Sequence, residues 1–226
     1  MEKLTALYVQ YKGEKPATIE KMPGAGSNRQ YYRFIGDDGE SVIGVVGTSR
    51  DENHAFIYLD RHFMLRQLPV PHVLAVSEDE LRYLQTDLGH TSLFDAIQGG
   101  REAGGRYNQN EQQLLIRTIR ALPNFQIRGA RGLNWNNCYP QPEFNEESVL
   151  FDLNYFKYCF LKATGLDFHE LKLEANFHMF AKDLAAEVGD SFLYRDFQAR
   201  NIMLDNEGNP YFIDFQGGRK GPFYLS

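Results

Sequence analysis

Apolar residues recur along this chain with two distinct spacings, and the change from one to the other divides it. In the first part, short runs of alternating or continuous apolar character are separated by Gly, Pro, Asn and Asp. These runs predict strands at Thr18–Met22, Tyr31–Ile35, Ser41–Val46, Val73–Val76 and Leu81–Thr86, with Gly36-Asp37-Asp38-Gly39 and Ser77-Glu78-Asp79-Glu80 as turns. Two stretches in this part have helical spacing instead. Leu4–Tyr11 is one; Arg50–Gln67 is the other, with Phe56, Leu59 and Phe63 on one stripe, Asp51 and Glu52 at its positive end, and Pro69 and Pro71 beyond its stop.

Beyond Thr86 the helical period takes over. It predicts helices at Ser92–Ile97, Glu111–Leu122, Ser148–Thr164 and His169–Val188, with a glycine-rich loop at Gly99–Gly105 and an irregular stretch from Pro123 to Asn145. On Glu111–Leu122 the expected stripe is Leu115, Ile119 and Leu122. On the two later helices it is Phe156, Cys159, Phe160 and Ala163, then Leu173, Phe177, Phe180, Leu184 and Val188. The pattern reverts to strands near the end, where Ile202-Met203-Leu204 and Tyr211-Phe212-Ile213 flank Asp205-Asn206-Glu207-Gly208-Asn209-Pro210 and read as a β-hairpin. The fold class expected is α+β: a five-stranded antiparallel sheet with a helix over residues 1–88, then a mainly helical part carrying a hairpin over residues 89–226.

Composition narrows the function classes. A chain of 226 residues, 42% hydrophobic and 14% aromatic, can fill a sizeable core. Its net charge of −6, with no long basic run, argues against nucleic acid or an anionic membrane surface as main partner. Cys138 and Cys159 have neither a CxxC spacing nor a His cluster, so no disulfide framework or zinc site is indicated. The N-terminal residues lack a continuous apolar stretch and no segment approaches a membrane span, so a cytoplasmic protein is expected.

The hairpin carries the candidate chemistry. If Asp205 and Pro210 flank a loop of Asn206–Asn209, Asn201 faces Asp214 across the open end at roughly 4.5–5.5 Å between Cβ atoms. A neutral oxygen beside a carboxylate suits Mg²⁺, which takes one or two side-chain oxygens and completes its shell with water and phosphate. Asp196, in the polar loop Tyr194–Arg200 that feeds the same end, is a third oxygen free to accept a proton from an attacking hydroxyl. In the first part, Gly24 and Gly26 lie between the first two strands, where the absence of Cβ lets backbone N–H groups approach a phosphate; an ordinary turn explains a Gly-Ala-Gly equally simply.

The wording YRDFQARNIM…FIDFQGGRKGP, with Arg195-Asp196, Asn201 and Asp214-Phe215 at fixed spacings, resembles the aminoglycoside phosphotransferase and choline kinase superfamily, and within it the bacterial cell-wall amino-sugar kinases that act on N-acetylmuramate and N-acetylglucosamine. The segment GAGSNRQYYRF is similar to the nucleotide loop of the same group. The resemblance implies a bilobal protein-kinase-like fold and transfer of the γ-phosphoryl group of ATP, with Mg²⁺, to a hydroxyl of a small molecule such as a sugar. Asp196 would be the catalytic base, and Asn201 and Asp214 the metal ligands. Gly24, Gly26, Ser27, Asn28 and Arg29 would lie at the nucleotide, with Asp87 and Leu88 as the hinge beside the adenine. Arg200 and Trp135 are the acceptor-side candidates, although Trp135 equally fits a plug in the core.

Three departures from the family pattern stand out. The strand Ser41–Val46 has no lysine to grip the phosphates, which leaves Arg29 and Arg33 as replacements and Glu52 as a helix-start charge without its usual partner. Tyr194 stands where a His precedes Arg-Asp, a position of structural role. After Gly221-Pro222 the Tyr-Asp and further helices of the family are missing, so the resemblance implies a domain cut short. An aminoglycoside or choline-type acceptor, or a degenerate kinase fold serving as a binding module, are the rival readings; protein partners are left open.

Overall fold

The computed structural model describes residues 1–23, 29–186 and 189–222. Five strands form an antiparallel sheet in the order β1-β2-β3-β5-β4: β1 (Thr18–Lys21), β2 (Gln30–Ile35), β3 (Ser41–Val46), β4 (Val73–Val76) and β5 (Arg82–Thr86). This is the sheet that the strand pattern predicts. Alternation gives it two buried faces. On one, Phe34, Val42 and Leu84 meet Leu4, Leu7 and Tyr8 of α1 (Glu2–Lys12), with the Tyr8 and Phe34 rings stacked at 5.1 Å. On the other, Ile43, Val45 and Tyr83 meet α2 (Arg50–Met64), whose first turn is capped by Ser49 through the Glu52 N–H.

The second core face is continuous with the helical part. Phe56 and Phe63 of α2 pack with Phe125, Phe192, Phe212 and Phe215, so one aromatic core runs from the sheet to the hairpin. Phe215 stacks on Phe56 at 4.9 Å with the rings 9° from parallel. Each such pair adds about 0.5–1.5 kcal/mol beyond burial itself. That fixes the residue after Asp214 against α2.

Beyond the sheet come α3 (Leu93–Ala96), α4 (Gln98–Glu102), α5 (Gln109–Ala130), α6 (Glu146–Phe156) and α7 (Glu170–Ala186). The α4 segment was expected to be a loop; Gly100 lets it close under the Tyr107 ring, where a Cβ would come within 2.1 Å. The α5 helix continues past Pro123, where the periodicity predicted a stop at Leu122. A proline inside a helix costs about 3 kcal/mol. Here Pro123 is exposed, while the following turn buries Phe125, Gln126 and Gly129 against the aromatic core, which offsets that cost. The buried stripe of α5 is Glu111, Leu114, Thr118 and Phe125, rotated from the expected one, and Ile119 is 60% exposed. Likewise the predicted stripe of α6 and its continuation faces outward: Phe156, Cys159 and Phe160 are exposed, and α7 buries only Phe177 and Ala181 among its described residues.

Two small pairings complete the fold. β6 (Ser191–Leu193) runs antiparallel to β9 (Arg219–Gly221), which also bonds along the chain at Pro142 and Phe144. Gly218 is required there, since a Cβ would lie 2.1 Å from the Phe192 ring. β7 (Ile202–Leu204) and β8 (Pro210–Phe212) form the predicted hairpin. Its register differs by one residue from expectation: Leu204 pairs Pro210 and Ile202 pairs Phe212, so that Asn201 stands opposite Ile213, whose N–H donates to the Asn201 carbonyl at 3.0 Å. The turn is shorter than expected because Asp205 accepts from the backbone of Glu207 and Asn209, and Gly208 closes it at φ +76°.

Candidate active site

A one-residue slip in register sends a side chain to the other face of a hairpin, so Asp214 would point away from Asn201. It does not, because Asp214 leaves the strand in the left-handed region at φ 64°. That conformation is uncommon for a residue with a Cβ. It turns the carboxylate back, and Asn201 Nδ2 donates to Asp214 Oδ2 at 3.3 Å. The same amide nitrogen donates to the Asp196 carbonyl at 2.9 Å, tying the loop Tyr194–Arg200 to the hairpin. With its nitrogen committed twice, Asn201 leaves its Oδ1 without a hydrogen bond among the described residues, beside a carboxylate. That donor set fits a hard divalent cation completed by water and phosphate. Among the described residues no three His, Cys, Asp or Glu gather into a metal cage.

Asp196 lies in the loop, between Arg195 at φ 74° and Phe197. Although its side chain reaches solvent, its carboxyl is held above its ordinary pKa, first by the protein packed around it and then by the negative charge of Asp214. A carboxylate so placed is a better proton acceptor than a free one. Tyr194 is wholly buried and its hydroxyl donates to the Ile213 carbonyl, bracing the loop against the hairpin, the structural role expected of that position. Arg195 holds Asp152 of α6 with two parallel hydrogen bonds at 2.5 and 3.0 Å.

Between the sheet and the hairpin lies a cleft of about 290 Å³, lined by Met22, Pro23, Arg29, Tyr31, Phe56, Pro71, Tyr83, Gln85, Gln198, Arg200, Asn201, Ile213, Asp214 and Gln216. Arg29, 4% exposed, enters it from the start of β2 and lies 3.2 Å from Glu52 Oε1. Glu52 therefore has a partner, contrary to the reading of it as only a helix-start charge. Gln216 extends the chain of contacts, donating to Asp214 Oδ1 at 2.8 Å and to Glu52 Oε1 at 3.4 Å. Arg29, Glu52, Gln216, Asp214 and Asn201 thus form one polar line across the cleft. Gln85 and Gln216 each leave a buried Oε1 without a partner among the described residues. Buried acceptors of this kind are costly unless something donates to them, and a nucleotide base or ribose carries such donors.

Other candidates fall differently. Gly24, Gly26, Ser27 and Asn28 lie outside the described residues. Arg200 lines the cleft with its guanidinium 4.1 Å over the Phe94 ring. Arg33 is not available to phosphate: it is 6% exposed and donates to both Asp87 oxygens, at 2.5 and 3.0 Å, to the Gly89 carbonyl at 2.9 Å, and lies against His90. Asp87 is spent on the same pair and on Ser41, and it lines, with Leu88, a groove apart from the cleft. Trp135 is partly buried against the edge of the aromatic core and does not line the cleft. Sequence reasoning missed Gln85, Gln216 and Tyr31; only Gln216, two residues after Asp214, had a sequence signal.

The sheet, its flanking helix and an Asp–Asn–Asp constellation on a loop and hairpin define a protein-kinase-like fold of the phosphotransferase kind. The chain belongs to the phosphotransferase enzyme family, whose model matches residues 18–225. It is 25% identical over 211 residues to an N-acetylmuramate/N-acetylglucosamine kinase of Pseudomonas aeruginosa, an alignment that covers 92% of this chain and 57% of that protein. In fold it is similar to an amicoumacin kinase solved with AMP-PNP and Ca²⁺ (TM-score 0.66, 10% identity, 99% of this chain and 66% of that one). It is also similar to a spectinomycin phosphotransferase solved with ADP (TM-score 0.61, 14% identity, 100% and 71%) and to a choline kinase from Streptococcus pneumoniae (0.58, 13%, 99% and 71%). The chain spans a little over half the length of the curated relative it matches. No helix among the described residues is long and apolar enough to cross a membrane.

Proposed function

We propose that this chain is the nucleotide-binding and catalytic portion of a small-molecule kinase, transferring the γ-phosphoryl group of ATP to a hydroxyl of a sugar or amino sugar. The observation that supports this reading is that Asn201 and Asp214 meet in the cleft, Asn201 is also bonded to the Asp196 carbonyl, and Arg29–Glu52 lies further along the same polar line. Residues 1–88 would form the nucleotide lobe and 89–226 the catalytic one. Asn201 and Asp214 would hold Mg²⁺, which, when bound, neutralises phosphate charge. Arg29 takes the place of the strand lysine of kinases, held in position by Glu52. Asp196 orients the acceptor hydroxyl and receives its proton. Such catalysis is mostly positioning and charge neutralisation, so few groups suffice. Against a degenerate binding module, the three oxygen-bearing residues remain and the missing lysine has a cationic substitute.

The test is an acceptor screen with ATP and Mg²⁺ that includes N-acetylglucosamine, N-acetylmuramate, an aminoglycoside and choline, followed by a coupled ADP assay. Phosphorylation of an amino sugar supports the reading. Transfer to choline or the aminoglycoside alone overturns the substrate class, and the absence of any Mg²⁺-ATP binding overturns the kinase.

A further inference from the structure

A second pocket of about 410 Å³ is lined by Pro140, Gln141, Glu147, Ser148, Phe151, Asp152, Arg195 and Arg219, none of which lines the cleft. Its floor is Arg219, on β9, which is 6% exposed. The Arg219 Nε donates to the Gly217 carbonyl at 3.2 Å, and its two terminal nitrogens have neither a hydrogen bond nor an ion pair among the described residues. The side chain is largely buried, but these unpartnered nitrogens are not sealed inside the protein and remain accessible at the pocket. No carboxylate forms an ion pair with it among the described residues: Asp152 is taken by Arg195 through both oxygens, Glu147 is exposed, and Asp196, whose negative charge also reaches Arg219, makes no hydrogen bond to it. Burial, then the positive charge of Arg195, hold the Arg219 pKa below its ordinary value, as expected of a cation short of counter-charge. The pocket adjoins the reacting position, because Asp196 Oδ2 would lie 3.5 Å from a Cβ on Gly217, the residue whose carbonyl Arg219 holds.

We propose that Arg219 is the centre of an anion subsite that binds a carboxylate substituent of the acceptor, and so determines acceptor specificity. This rests on Asp196 marking the acceptor side of the proposed kinase site. A planar fork with two free N–H edges matches a carboxylate. Arg195 lines the same pocket but is neutralised by Asp152, and the Gln141 amide nitrogen is engaged by Glu143, Asn145 and Ser148, so Arg219 is the group with donors to offer.

The experiment measures binding of the acidic and neutral amino sugars of the acceptor screen by calorimetry, without nucleotide, to the wild-type chain and to Arg219→Gln, which keeps a donor for the Gly217 carbonyl. The acidic sugar is expected to bind the wild type about 10- to 100-fold more tightly than the neutral one, the span of one charge-assisted hydrogen-bonded pair. In Arg219→Gln that preference falls to near unity with the neutral sugar unaffected. A preference unchanged by the substitution overturns the subsite. If the variant does not fold, the wild type decides: a preference that is absent, or that does not shrink as salt rises from about 0.05 to 0.5 M, overturns it. Preferential binding without phosphoryl transfer would overturn the kinase reading and leave the subsite; transfer to both sugars without preference would do the reverse.

Discussion

The Nη2 of Arg29 lies 3.2 Å from Oε1 of Glu52, so a residue at the start of β2 meets the first turn of α2 across the cleft. Kinases commonly bring a strand lysine to this acid; here the cation comes from a neighbouring strand.

Arg29→Ala should therefore weaken ATP binding about 10- to 100-fold while leaving adenosine binding almost unchanged, because only the phosphates need the charge. Calorimetry with the two ligands measures this. Equal losses for both would remove Arg29 from the phosphate grip.

Arg33→Ala is the contrast. It leaves Asp87 buried without its cation, and breaking a buried pair costs about 3–5 kcal/mol. The expected outcome is a large fall in denaturation midpoint with ATP affinity per folded molecule preserved. A stable variant with weakened ATP binding would show that the pair opens when nucleotide binds.

For the metal, Asp214→Ala should abolish Mg²⁺-dependent nucleotide binding, since Asn201 alone is a neutral ligand. The fold should survive, because Phe215 and not Asp214 makes the core contact with Phe56. Unchanged Mg²⁺-ATP affinity in this variant would place the metal elsewhere.

Asp196→Asn keeps the size of the side chain and removes the proton acceptor. Turnover should fall about 10²–10⁴-fold with Mg²⁺-ATP binding nearly normal. Loss of binding as severe as in Asp214→Ala would assign Asp196 to the metal instead.

A pH effect on stability is expected from Asp60, which is fully buried in α2 and accepts from Val73 at 2.8 Å through one oxygen, while the other has no partner among the described residues. Burial raises its pKa from 3.8 to about 7. For an acid whose folded pKa is raised, the native state binds the extra proton, so stability declines as pH rises from about 4 to 7 and the decline is complete above that. The full effect is at most about 4 kcal/mol. Asp60→Asn should melt close to the wild type at pH 4 and above it at pH 8; the opposite order would mean that the charged form is stabilised in the fold.

Local spacing alone determined a good deal of this protein. The five strands, the α2 helix and the hairpin follow from periodicity and turn residues, which act over a few positions, and the resemblance of RDFQARN and DFQGG pointed to the site residues. The tertiary structure decided what depends on distant partners. Pro123 stays in α5 because Phe125 is needed in a core built from α2 and the hairpin, which no window around Pro123 contains. The hairpin register rested on the Asp205 carboxylate accepting from the backbone of Glu207 and Asn209 in the turn, and the meeting of Asn201 with Asp214 on one left-handed residue that composition does not announce. Arg29 and Arg33 were equivalent as sequence, two cations near one loop. Only folding brought Asp87 to one and Glu52 to the other, because ion pairing is settled by which charges the sheet and helix bury side by side.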